Sequence, residues 1–229
     1  METPKNLPVN PPYMIAYTPG KVGSTSIMET LRTVGVPCHR CTEHNIKQYH
    51  VRDYPTITGV REPIEWAFSN VFEMALAEGL TLRSEDAEKV VATIMQSAEH
   101  GLLKDYCDWW GTHFRQITGV NLFGSRWIKK TPWRIFSLRA LVVRTDKMND
   151  VFAEALNKFL PTYYPDIDMS TLEVQHRAKG TDRFEGYDEF MDAVKFDPHW
   201  LDRFYDKTPM CRYFFFAAEL RDWIIKWAT

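Results

Sequence analysis

A chain of 229 residues with 45% hydrophobic and 14% aromatic side chains can bury a sizeable core, which excludes global disorder. Its formal net charge of -2 offers no overall basic field to nucleic acid, so any anion site must be local. No apolar run approaches the length of a membrane span, and four cysteines in a chain of this size do not make a disulfide scaffold.

Met1 to Pro12 is polar and Pro-rich and lacks an apolar leader segment, so it reads as a flexible lead-in. A cytoplasmic protein with a single α/β domain over residues 13–229 is the expectation. Tyr13 to Tyr17 is a short aromatic and β-branched run, the signature of a buried strand. Thr18-Pro19-Gly20 breaks it with turn residues, and Ile27, Met28, Leu31 and Val34 then recur at helical spacing. Strand, glycine-bearing loop and helix N-terminus in that order direct backbone N–H groups and the positive end of a helix dipole at one spot. Lys21 adds a full charge, and Ser24, Thr25 and Ser26 add hydroxyl donors. The stretch Gly20, Lys21, Val22, Gly23, Ser24, Thr25, Ser26 therefore reads as a phosphate cradle; the plainer alternative is an ordinary strand-to-helix turn with serine at the N-cap.

The loop is not a Walker A sequence, which places its lysine after the second glycine, whereas Lys21 precedes Gly23. The helix is expected to end near Gly35, with a second strand over Val36 to Cys41 and a parallel βαβ start. Cys38-His-Arg-Cys41 with His44 and His50 has the look of a zinc or redox cluster, but no second Cys/His pair at ligand spacing accompanies it, and ordinary buried thiols are expected. Thr42 to Asp53 is polar and reads as a loop or short helix. Pro55 to Val60 is a third strand, followed by Arg61-Glu-Pro and a helix whose apolar face is Ile64, Ala67, Phe68, Val71, Phe72 and Ala75. Arg61 thus falls at a strand's carboxyl end, where open α/β sheets bind ligands. Ser69 is placed about two helical turns on, so that both can reach one anionic group.

Lys-x-Gly-Ser-Thr-Ser after a Pro-terminated strand resembles the 5′-phosphosulfate loop of sulfotransferases that use 3′-phosphoadenosine-5′-phosphosulfate (PAPS). Arg61-Glu-Pro with Ser69 resembles the 3′-phosphate motif of the same superfamily. The likeness covers about the first third of the chain and is closest to carbohydrate 2-O-sulfotransferases and bacterial capsular-polysaccharide-type enzymes. It implies a three-layer, P-loop-type α/β fold with a central parallel sheet flanked by helices, PAPS as donor and no metal. Its product is 3′,5′-adenosine bisphosphate, and a hydroxyl on a glycan is the implied acceptor. Lys21 is implied as the group that neutralises the leaving phosphate. A general base is needed for a hydroxyl of high pKa, and His39 is favoured for that role over His44 and Glu43.

Farther on, helices are expected over Ser84 to Glu99 and Leu103 to Phe114, and a hairpin over Ser125 to Leu138 around Lys130-Thr-Pro132. Ala140 to Arg144 reads as a strand leading into a helix over Asn149 to Phe159. Asp146-Lys147-Met148 departs from the family's Glu-Asp-Leu there, and Arg144 stands where a Walker B site would want Asp. Pro161 to Gly186 is loop-rich, and helices over 187–195, 198–206 and 214–227 finish the chain. Trp109, Trp110, Trp127 and Trp133 can form an aromatic wall for an acceptor, with buried core as the plainer reading. Lys207 and Arg212 read as a solvated basic surface, with the donor as an alternative partner. A small-molecule or nucleotide P-loop kinase and a non-catalytic nucleotide- or glycan-binding module are the competing functional readings.

Overall fold

The computed structural model describes residues 11–42, 51–125, 127, 130–175 and 186–229. The chain begins with β1 (Met14–Tyr17), α1 (Ser24–Thr33), β2 (Cys38–Cys41), β3 (Thr56–Val60) and α2 (Pro63–Ala77). It continues with α3 (Ala87–His100), α4 (Leu102–Trp109), α5 (His113–Thr118), β4 (Trp133–Phe136), β5 (Ala140–Arg144) and α6 (Met148–Phe159). Four helices close it: α7 (Tyr187–Ala193), α8 (Pro198–Lys207), α9 (Pro209–Phe214) and α10 (Ala217–Ala228). The described residues form two compact units, one within Met1–Arg61 and Gly111–Lys179, the other within Glu62–Trp110 and Gly180–Thr229.

The first unit holds a five-stranded sheet in the order β2-β1-β3-β5-β4, parallel except for the antiparallel edge strand β4. This is the α/β architecture expected, with a mostly parallel central sheet and flanking helices. Strand side chains alternate between faces, and Met14, Ala16, Ile57, Leu141 and Val143 bury against Ile27 and Leu31 of α1 and Phe152, Leu156 and Phe159 of α6. Tyr17, of opposite parity, stacks on Phe114 of α5 with ring centroids 6.1 Å apart. β1, β3 and β5 are buried at every position, as strands covered on both faces must be.

The hairpin lies one turn later than its sequence suggests. β4 pairs with β5, Trp133 opposite Val143 through Phe136 opposite Ala140, and the turn is Phe136-Ser137-Leu138-Arg139. The Arg139 amide donates to the Phe136 carbonyl at 2.8 Å, with φ 51° at Ser137 and 55° at Leu138. Two central residues of positive φ make a type I′ turn, normally an Asn-Gly sequence, and neither residue here announces it. Replacing Ser137-Leu138 by Asn-Gly relieves left-handed strain at an exposed leucine. It is expected to raise stability by about 1 kcal/mol, read as a higher denaturant midpoint; an unchanged or lower midpoint contradicts the strain.

The second unit is helical and aromatic. Trp66 stacks on Tyr106 at 4.2 Å, and Trp110 meets Trp109 and Phe214 edge-on at 4.9 and 5.4 Å. Trp109 and Trp110 here, and Trp127 in the first unit, are almost fully buried, so these three belong to cores rather than to an acceptor wall. At the head of α2, Glu62 is 2% exposed, and its carboxylate accepts from the Ile64 and Glu65 amides at 2.8 and 2.7 Å. The Tyr205 hydroxyl of α8 donates to the same carboxylate at 2.7 Å.

Burial, reinforced by the charge of Glu65, pushes the Glu62 carboxyl up to about 7 against the pull of these three donors. A raised acid holds its proton more tightly folded than unfolded. Its stabilising contribution is therefore complete below the ordinary value of 4.5 and is lost as pH rises through about 7. Stability is expected to fall by about 3 kcal/mol between pH 5 and 8 from this group. Glu62→Gln, which does not titrate, should flatten that slope in chemical denaturation; equal slopes for the two proteins contradict it.

Candidate functional site

The first unit's sheet order creates the site. From β1 the chain reaches β2 on one side and then crosses to β3 on the other, so the topological switch lies between β1 and β3. Ligands of open α/β sheets enter the crevice beyond the carboxyl ends of the strands at such a point. The loop from Thr18 to Gly23 leaves β1 there, and Arg61 leaves β3 beside it. The Arg61 guanidinium donates to the Lys21 carbonyl at 3.4 Å, bringing together two residues forty positions apart.

The loop is wound left-handed at three places, with φ 83° at Gly20, 52° at Lys21 and 80° at Gly23. Two of these are glycines, for which the conformation is free. Lys21 is not, and a lysine held in the left-handed region is strain of about 1 kcal/mol that the surroundings must enforce. Val22 between them is fully buried and anchors the loop. Gly23, rather than a serine, is the N-cap of α1, and no side chain caps the helix. The capped-turn alternative thus loses its capping hydroxyl, and the first amides of α1 stand at an N-terminus suited to an anion. Ser24 is buried, Ser26 half-buried and Thr25 exposed.

Two features that sequence reasoning missed hold this loop. A Cβ on Gly59 of β3 would lie 2.1 Å from the Val22 carbonyl oxygen and 2.8 Å from the Thr145 methyl. Only glycine lets the loop pass so close to the strand; a lone glycine inside a strand pattern was the available signal. The second is the segment after β5. Thr145 donates its hydroxyl to the Val60 carbonyl at 3.1 Å, and the Met148 sulfur lies 3.3 Å from where a Gly23 Cβ would stand. Arg144, 2% exposed, grips Asp146 with two bonds, Nε to Oδ1 at 3.0 Å and Nη2 to Oδ2 at 2.7 Å, fixing that segment. The β5 end therefore presents a guanidinium with its carboxylate already engaged, which agrees with the sequence reading that no Walker B acid stands there.

The other expected residues fall elsewhere. His39 pairs with Ile15, two residues short of the carboxyl end of β1 and about 7 Å below it along the strand. Its ring meets Tyr13 edge-on at 4.6 Å, at the amino end of β1, so the fold does not bring His39 to the cradle. Glu43 and His44 lie outside the described residues. The last residue of β2, Cys41, is opposite Tyr17, and its carbonyl accepts from the Thr18 amide at 3.2 Å. The chain thus leaves β2 beside the start of the loop. Ser69 sits on α2 in the second unit.

Burial pushes the thiols of Cys38 and Cys41 up to about 12 and about 11, which suppresses the thiolate that metal or redox chemistry requires. Among the described residues no cluster of metal-ligating side chains is found, and no helix is long and apolar enough to cross a membrane. Compared with family models, with curated proteins and with solved structures, the chain matches none.

Proposed function

We propose that this protein is a sulfotransferase that moves the sulfonyl group of PAPS to an acceptor hydroxyl. The observation that carries the reading is the strained Lys21, which follows Gly20 at the β1/β3 switch point and is joined through its carbonyl to Arg61. The donor supplies an activated sulfonyl group on a phosphate leaving group; the chain supplies position and charge. The amides at the start of α1, with the hydroxyls of Ser24, Thr25 and Ser26, hold the 5′-phosphate end. Lys21 sets its ammonium against the charge that grows on the leaving phosphate, an interaction stronger in the transition state than before it. Arg61 takes the 3′-phosphate, the group that separates this donor from ATP. Ser69 in that role rests on the resemblance alone, as does a glycan as acceptor.

The contact of the His39 ring with Tyr13 favours Glu43 or His44, which follow β2 in sequence, over His39 as general base. A P-loop kinase is the second reading. Lys21 stands before Gly23 rather than after it, and β5 ends in the Arg144–Asp146 pair rather than a free carboxylate, so a magnesium-bound triphosphate is poorly served. Incubation with PAPS and a panel of oligosaccharide and phenolic acceptors, with formation of 3′,5′-adenosine bisphosphate as readout, tests the proposal. Bisphosphate formed in step with a sulfated product supports it. ATP consumption with phosphorylated product supports the kinase.

A further inference from the structure

The helical second unit carries a cavity of about 390 Å³ that the proposed donor site does not use. That is within the size range of small-ligand sites. Its walls come from α4, α8, the end of α3 and the start of α9, all within this unit. Cys107 of α4 forms part of the floor; it is buried, and burial drives its thiol far above the ordinary range, so it offers a neutral, apolar surface rather than a nucleophile. The rings of Phe196, just before α8, and of Trp200 and Phe204 on α8 stack in series, 5.6 Å and then 5.0 Å between centroids and within 19° and 5° of parallel. Trp200 and Phe204 line the cavity, and Phe204 is the last ring of that stack.

Charge is arranged around this apolar interior. Lys104 and Asp108 both line it and neutralise each other as an ion pair. Arg203 and Lys207, one turn apart on α8, also line it and make no ion pair or side-chain hydrogen bond among the described residues; Glu99 of α3 lines it too. Part of the basic character of Lys207 belongs to the last turn of α8, where a cation complements the helix dipole. Arg203, with its planar fork of donors, has no such explanation and suits a carboxylate or sulfate.

We infer that this cavity binds a small organic anion carrying one ring, such as a uronic acid or an aryl sulfate. The ring lies against Phe204, and the anionic group is held by Arg203 and Lys207. A sugar ring and an aryl ring share this chemistry, and the experiment separates them. The 229-residue protein is titrated calorimetrically at low salt with 4-nitrophenyl glucuronide, with 4-nitrophenyl sulfate, and with neutral 4-nitrophenyl glucoside. The expected result is at least tenfold tighter binding of one or both anions than of the glucoside. Arg203→Ala/Lys207→Ala should remove that preference, and Phe204→Ala should weaken all binding. Arg203 and Lys207 are exposed, so the double variant should keep its melting temperature, which is measured alongside. The glucuronide alone marks a sugar site, the sulfate alone an aryl site. Equal binding of the neutral probe, an undiminished anion preference in the double variant, or no binding of either anion overturns the inference.

Discussion

Gly59→Ala is expected to destabilise the protein by about 3 kcal/mol, the upper part of the range for overpacking, and to abolish binding of 3′,5′-adenosine bisphosphate at the same time. Most core insertions displace a flexible side chain. Here the added methyl would meet the Val22 backbone carbonyl at 2.1 Å, and the Thr145 methyl at 2.8 Å closes the other escape. Val22 is fully buried and flanked by Lys21 and Gly23, so it cannot retreat without unwinding the left-handed turns that shape the cradle. Stability and ligand affinity are thus tied to one contact between loop and strand. Denaturant unfolding gives the first and calorimetry the second. A variant that kept both intact would mean that the loop does not rest on β3.

Under the proposed sulfotransferase function, Lys21→Ala is expected to lower the rate of sulfonyl transfer by about 10²–10³-fold, the usual effect of removing one group that stabilises transition-state charge. The loss should fall on kcat more than on KM, because the ammonium gains most when the leaving phosphate takes up charge. A lysine that only bound the ground-state phosphate would raise KM and leave kcat alone. Structure and kinetics are separable here, since alanine tolerates the φ of 52° no worse than lysine and the carbonyl that accepts from Arg61 is retained. Unchanged kcat with a raised KM would reduce Lys21 to a binding residue.

What the sequence made legible was whatever is written locally. The run Tyr13–Tyr17, the break at Pro19-Gly20 and the helical recurrence of Ile27 and Leu31 mark a strand, a loop and a helix, and β1 and α1 lie where that pattern puts them. Arg61-Glu-Pro likewise marks the passage from β3 into α2, with Glu62 as the helix cap and Pro63 as its first residue. Features that arise from the meeting of distant segments were not legible. The role of Gly59 depends on a loop more than thirty residues earlier in the chain. The grip of Arg144 on Asp146, a brace for the loop's neighbour, likewise could not be read from the sequence.

His39 lies below the carboxyl edge of the sheet for a geometric reason. A strand reverses its side chains at each residue and advances about 3.3 Å, so a histidine inside β2 is carried away from the carboxyl edge unless it is the final residue. The displaced hairpin has a different cause. Lys130-Thr-Pro132 offers ordinary turn residues, whereas the type I′ geometry was adopted by Ser137 and Leu138, whose side chains give no sign of it.

The most direct test of the central claim is calorimetric titration with 3′,5′-adenosine bisphosphate and, separately, with ATP and Mg²⁺, on wild type and on Arg61→Ala. Tight binding of the bisphosphate and weak binding of ATP are expected. The Arg61 variant should lose about 30–100-fold in bisphosphate affinity, the worth of a charged hydrogen-bonding partner of a phosphate. Preference for Mg-ATP, or a bisphosphate affinity indifferent to Arg61, would contradict the sulfotransferase assignment and move the protein to the kinase reading.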